Sequence, residues 1–133
     1  MITVYIDGGS RGNPGPAGYG FRVEHPDGAV EEIHASIGTA TNNVAEYRAL
    51  LAALQYALAQ GHREVRVRSD SELLVRQMRG EYKVRHPGLQ PLHAEARSIA
   101  AQFDRVVFEH VRRELNAHAD RLANRAMDEA AAE

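Results

Sequence analysis

Four acidic side chains, Asp7, Glu46, Asp70 and Asp120, come from four distant segments of the chain. Gathered in one place, they could hold divalent cations. Hard cations such as Mg²⁺ prefer carboxylate oxygen and keep several of their waters. Two such ions about 3.5–4 Å apart suit phosphodiester hydrolysis, where attacking water and leaving alkoxide both carry negative charge beside a negative phosphate. Without ions the four carboxylates would repel one another, so cation binding would stabilise the fold. Taken singly, each acid has a plainer reading. Asp7-Gly8 suits a turn, and Glu46 near a helix start satisfies the dipole. Asp70 before Ser71 suits an N-cap, and Asp120 suits a solvated helix start. Placement is what groups them. Three stand where strand ends or helix starts meet the open edge of a sheet, the place where α/β sheets build sites.

Periodicity predicts the elements that must position these acids. Ile2 to Ile6 reads as a first strand, with Ile2, Val4 and Ile6 on one face and Asp7 at its end. A glycine–proline segment follows, from Gly8 to Gly20. Tyr19 to Glu24 and Val30 to Ile37 read as two more strands, joined by a hairpin at Pro26-Asp27-Gly28. Tyr47, Leu50, Leu51, Leu54 and Leu58 then recur at helical spacing, with Gly61 as a stop and Glu46 in the first turn. Val65, Val67 and Ser69 alternate with Arg66 and Arg68 in a fourth strand that ends at Asp70. Helices over Ser71 to Arg79 and Pro87 to Phe103, a strand over Val106 to Val111 and a helix over Asn116 to Ala130 complete the chain. The last helix turns Ala119, Leu122, Ala123, Ala126 and Met127 inward. The order β-β-β-α-β-α-α-β-α implies an α/β fold: three antiparallel strands and two more in one mixed sheet, with helices on its faces.

The length of 133 residues suits one domain over the whole chain. There is no cysteine, which excludes disulfides and thiolate metal sites. No apolar run approaches bilayer length, and the first residues do not read as a secretion signal. The expectation is a cytoplasmic monomer. The net charge of −2 is low for a partner of nucleic acid, although a carboxylate-rich site lowers the total and segregated charge is hidden by it. Lys83 is the only lysine among the basic residues. Arginine suits bidentate phosphate contacts.

Four segments resemble the signatures of type 1 ribonuclease H, in order and over nearly the whole chain. They are Asp7-Gly8-Gly9-Ser10-Arg11-Gly12-Asn13-Pro14-Gly15-Pro16-Ala17-Gly18-Tyr19-Gly20, Thr41-Asn42-Asn43-Val44-Ala45-Glu46-Tyr47, Ser69-Asp70-Ser71 and Asn116-Ala117-His118-Ala119-Asp120-Arg121-Leu122-Ala123. Each delivers one of the four acids. The resemblance implies a ribonuclease H-like five-stranded sheet and two-metal cleavage of the RNA strand of RNA–DNA hybrids, leaving 5′-phosphate and 3′-hydroxyl ends. It implies two Mg²⁺ ions, with Mn²⁺ as a possible substitute. Asp7 would bridge both ions, Glu46 and Asp70 would complete the site nearer the leaving group, and Asp120 would help hold the ion that activates water. Ser10, Asn13, Asn42 and Asn43 match positions that read the RNA strand through its 2′-hydroxyls, and Thr41 matches a contact to the DNA phosphate. Asn42 or Asn43 could equally cap the long helix, and capping and contact are compatible.

Three departures from the family pattern stand out. Arg79 to His86 is too short to be the basic insertion of many bacterial relatives, although Arg79, Lys83 and Arg85 remain available to phosphate. Arg112-Arg113-Glu114-Leu115 leads straight into Asn116, leaving no room for the glycine–histidine loop of many relatives. His118, two residues before Asp120, would point away from that carboxylate on a helix and reads as solvated. Thr39 stands where some relatives place an arginine at the DNA phosphate, which implies looser selectivity. The compact form resembles archaeal-type and plant-like members. Two alternatives compete with hybrid cleavage: a non-catalytic nucleic-acid-binding module, and a nuclease of the same fold acting on double-stranded RNA.

Overall fold

The alternation of buried Ile2, Val4 and Ile6 with half-buried Thr3 and Tyr5 is that of a strand with one face in the core. In the computed structural model, which describes residues 1–133, this strand is β1 (Ile2–Ser10). It is followed by β2 (Gly15–Glu24), β3 (Val30–Ala40), α1 (Asn42–Ala59), β4 (Glu64–Ser69), α2 (Glu72–Met78), α3 (Gln90–Ala100), β5 (Arg105–His110), a 3₁₀ turn over Arg113–Asn116, and α4 (Ala117–Ala132). The strands form one sheet in the order β3-β2-β1-β4-β5. β1, β2 and β3 pair antiparallel as expected, and β4 and β5 run parallel to β1.

The glycine–proline segment departs from expectation. Most of it is strand, not loop: Gly8 pairs with Tyr19, Gly9 with Gly18 and Ser10 with Ala17. Asp7 therefore does not end β1 but lies within it, three residues before its end. The glycines are required by close approach. A Cβ on Gly8 would collide with the Ala45 carbonyl of α1, and one on Gly20 with Leu122 of α4. Alternation along the strands thus lets α1 seat on one face of the sheet and α4 on the other.

α1 buries Tyr47, Leu50, Leu51 and Leu54 in the core, with Leu58 half-buried at its edge, and it ends at Gly61, whose φ of +83° favours glycine. α3 is shorter than the predicted span. His86-Pro87-Gly88 forms a turn instead, closed by Gly88 N–H donating to His86 Nδ1 (2.9 Å) and Leu89 N–H donating to the His86 carbonyl (3.0 Å). α4 buries the five predicted residues and also Ala130.

Candidate active site

β1 and β4 run side by side and parallel, and their last pair is Ile6 with Ser69. The next residue on each strand is an acid: Asp7, where β1 continues along β2 alone, and Asp70, where the chain leaves the sheet for α2. Glu46 approaches from α1 and Asp120 from the first turn of α4. Glu46 lies five residues into its helix, in the second turn and not the first. All four line one open cleft of about 300 Å³, together with Gly8, Gly9, Ser10, Asn42, Arg113, Asn124 and Met127.

The electrostatics follow from this crowding. Asp7 is pushed up to about 8, first by burial and then by repulsion from Asp70, Asp120 and Glu46. It is the one acid that feels all three others. Glu46 rises to about 7, chiefly through burial, against a hydrogen bond from Ser71 that favours its charged form. Asp70 is also raised by burial and by Asp120, with Asn116, Arg113 and His110 opposing. Shifts of this kind mark a cluster of crowded like charges that a bound cation would relieve. The donor set is all oxygen, as Mg²⁺ or Mn²⁺ requires, and divalent cations fit it. The acids line the walls without three of them converging on one point.

The family described as "Reverse transcriptase-like" matches residues 5–126. The chain belongs to the type 1 ribonuclease H family. It is 52% identical over 98% of its length to the "bifunctional protein" of Mycobacterium tuberculosis, of which it covers 36%. The N-terminal RNase H domain of that protein, solved as a fusion with maltose-binding protein, superposes with a TM-score of 0.91, covering 96% of this chain and 98% of that one. Ribonuclease HI of Halobacterium salinarum is 43% identical over 97% of this chain and 65% of its own length. The RNase H1 called LC11, solved in complex with an RNA/DNA hybrid, has a TM-score of 0.91 at 47% identity over 98% of this chain and 99% of its own. The chain thus spans about a third of the mycobacterial relative and just under two thirds of the archaeal one.

Of the positions matched to substrate contacts in ribonucleases H, Ser10 and Asn42 line the cleft. Ser10 N–H and Oγ both donate to Asn42 Oδ1, at 2.8 and 3.2 Å. Asn13 lies behind them and accepts from Asn42 N–H through its own Oδ1 (3.1 Å). Thr41 and Asn43 are not in the cleft lining. Thr41 is the N-cap of α1, accepting from Val44 N–H (3.2 Å), so neither asparagine caps that helix. Ser71 likewise caps α2, which removes the capping reading of Asp70. His118 is exposed and outside the cleft.

Sequence reading missed the other lining groups. Arg113 is the only cation in the cleft wall. It stands in the 3₁₀ turn that occupies the link where many relatives carry a glycine–histidine loop. Its position in Arg112-Arg113-Glu114-Leu115 was visible, but a short polar link gives no period from which to tell which side chain turns inward.

Proposed function

We propose that this protein is a divalent-metal-dependent ribonuclease H that hydrolyses the RNA strand of RNA–DNA hybrids, with 5′-phosphate and 3′-hydroxyl products. The observation that carries the reading is the single cleft in which four distant acids meet, with two of them held far above the carboxylate range. A pure binding module gains nothing from four negative charges placed where phosphate must approach.

In this reading Asp7, Glu46, Asp70 and Asp120 would hold Mg²⁺, or Mn²⁺ in its place, and the bound cations would supply positive charge for the attacking and leaving oxygens. Asp7, which couples to all three other acids, would be the ligand common to the ions. Glu46 and Asp70 would complete the site nearer the leaving group, and Asp120 would help hold the ion that activates water. Arg113 supplies a fixed positive charge beside Asp70, suited to a phosphate at the cleft rim.

The asparagine network determines how the RNA strand is read. An asparagine side chain accepts only through its oxygen, so Asn42 Oδ1 and Asn13 Oδ1, which accept from backbone N–H groups, are both committed within the protein. Their Nδ2 groups are left as donors. A ribose 2′-hydroxyl would therefore meet this part of the cleft as an acceptor, which a deoxyribose cannot do.

The test uses end-labelled hybrid, double-stranded RNA, double-stranded DNA and single strands, each with Mg²⁺, Mn²⁺ or chelator. Cleavage confined to the RNA of the hybrid and abolished by chelator is expected. Binding without cleavage in any metal would favour the non-catalytic module. Equal cleavage of double-stranded RNA would shift the substrate assignment.

A further inference from the structure

Asn116 is 1% exposed, yet its side chain does not do what an asparagine at a helix start usually does. It occupies the N-cap position of α4, where a side-chain oxygen ordinarily accepts from the second or third helical N–H, and it makes no such bond. It reaches across the fold instead, with Nδ2 donating to the Ile6 carbonyl at 2.9 Å. Ile6 is the residue before Asp7, and it forms the last pair of the β1–β4 ladder with Ser69, the residue before Asp70. Beyond that pair β4 turns away, so the Ile6 carbonyl would be left without a partner on that side. The same side chain lies beside Asp70 and favours the charged form of its carboxylate. Meanwhile Asn116 Oδ1 is buried with no partner at all. A buried acceptor left unpaired is unfavourable. What the side chain supplies in return is its donor amide, held between the Ile6 carbonyl and Asp70.

We infer that Asn116 is a positioning residue: its amide plugs the fork between β1 and β4, fixes the spacing of Asp7 and Asp70, and thereby sets the cleft's affinity for divalent cations. The inference rests on the metal-dependent nuclease reading above. Asn116 also stands at the start of α4 one turn before Asp120, so it joins the strand end before Asp7 to the helix that carries Asp120. Groups that act behind a metal ligand in this way typically change metal affinity about 10–100-fold when removed.

The experiment compares wild type with Asn116→Ala and with Asn116→Asp. The latter keeps the size but turns the donor into an acceptor facing a carbonyl and a carboxylate. Two quantities are measured: the Mn²⁺ concentration giving half of the metal-induced rise in Tm without nucleic acid, and the Mg²⁺ concentration giving half-maximal hybrid cleavage. Both midpoints are expected to rise at least about tenfold in each variant. The KM for hybrid at saturating metal should stay within about twofold of wild type. If Asn116→Ala does not fold, Asn116→Asp supplies the same comparison. Unchanged metal midpoints in a folded variant, whatever its Tm, would overturn the positioning role and leave the nuclease reading standing. A wild type that neither binds Mn²⁺ nor cleaves hybrid would overturn both.

Discussion

Removing the charge at position 7 separates two effects that the intact carboxylate combines. Asp7 is the acid most repelled by its neighbours. If it binds cations, Asp7→Asn should lower hybrid cleavage by more than about a hundredfold, beyond the range for groups behind a ligand. The same change should raise the Tm of the metal-free protein at pH 8, because it removes a buried charge from a cluster of like charges. Mg²⁺ should then no longer raise Tm. A variant that stays active and keeps its Mg²⁺ response would end the bridging assignment. The pH dependence has a definite sign. Asp7 and Glu46 hold their protons up to about 8 and about 7 in the folded chain, against 3.8 and 4.5 ordinarily. Between those values the folded state binds more protons than the unfolded state, so their contribution to stability falls as pH rises. Thermal melts of chelator-treated protein should therefore show Tm declining from pH 5 to pH 8. Saturating Mg²⁺, which competes with those protons, should flatten or reverse the decline. A metal-free Tm that rises across this range would contradict the crowding of the acids.

At the level of elements, the contact between α4 and the sheet decides where Asp120 stands. Gly20 leaves space for Leu122 and the backbone of Ala123, two and three residues after Asp120. Gly20→Ala must push that turn of α4 away from β2. Overpacking of this kind typically costs about 1–3 kcal/mol, and the displacement carries Asp120 with it. Chemical denaturation should show the loss of stability, and hybrid cleavage at saturating metal should drop along with it. A stable, fully active Gly20→Ala would mean that α4 does not set the site. The same glycines show what the sequence could and could not disclose. α4 and β4 were legible because their buried side chains repeat at 3.6 and 2 residues, as at Leu122, Ala123 and Ala126 and at Val65 and Val67. The strand character of Gly8 to Gly20 was not, because there the packing depends on side chains that are missing. The four acids could be picked out as types, although Asp7 lies within β1 and Glu46 in the second turn of α1, not at the strand end and helix start expected. Asn116, Arg113 and the Ser10–Asn42–Asn13 network could not, since their roles depend on partners up to 110 residues away. The cap of α1 was misplaced by one or two residues for a similar reason. Thr41, Asn42 and Asn43 are all competent caps, and only the tertiary bond from Ser10 shows that Asn42 is engaged elsewhere.

Over the whole molecule, the net charge of −2 hides an uneven distribution. Of sixteen basic side chains, nine stand in ion pairs with Asp or Glu. The seven left unpaired are Arg48, Lys83, Arg85, Arg97, Arg105, Arg112 and Arg113. Four of these lie on α1, on α3 and in the segment between α2 and α3, and Arg113 lines the cleft with Arg112 next to it in the chain. Unpaired cations release counterions when they meet phosphate, whereas paired ones must first give up a carboxylate. A hybrid laid across the cleft and over α1 and α3 would therefore meet positive charge despite the negative total. Lys83 and Arg85, both exposed, stand in the short segment that replaces the basic insertion of longer relatives. Log affinity against log salt for a non-cleavable complex should fall steeply in wild type, with a slope of roughly −0.9 for each phosphate neutralised. Replacing Lys83 and Arg85 together by alanine should reduce the magnitude of that slope by about 2. kcat at saturating hybrid should be unchanged, because neither residue lines the cleft. A double variant with the wild-type slope would remove this segment from the binding surface and shift the path of the hybrid toward Arg112 and Arg113.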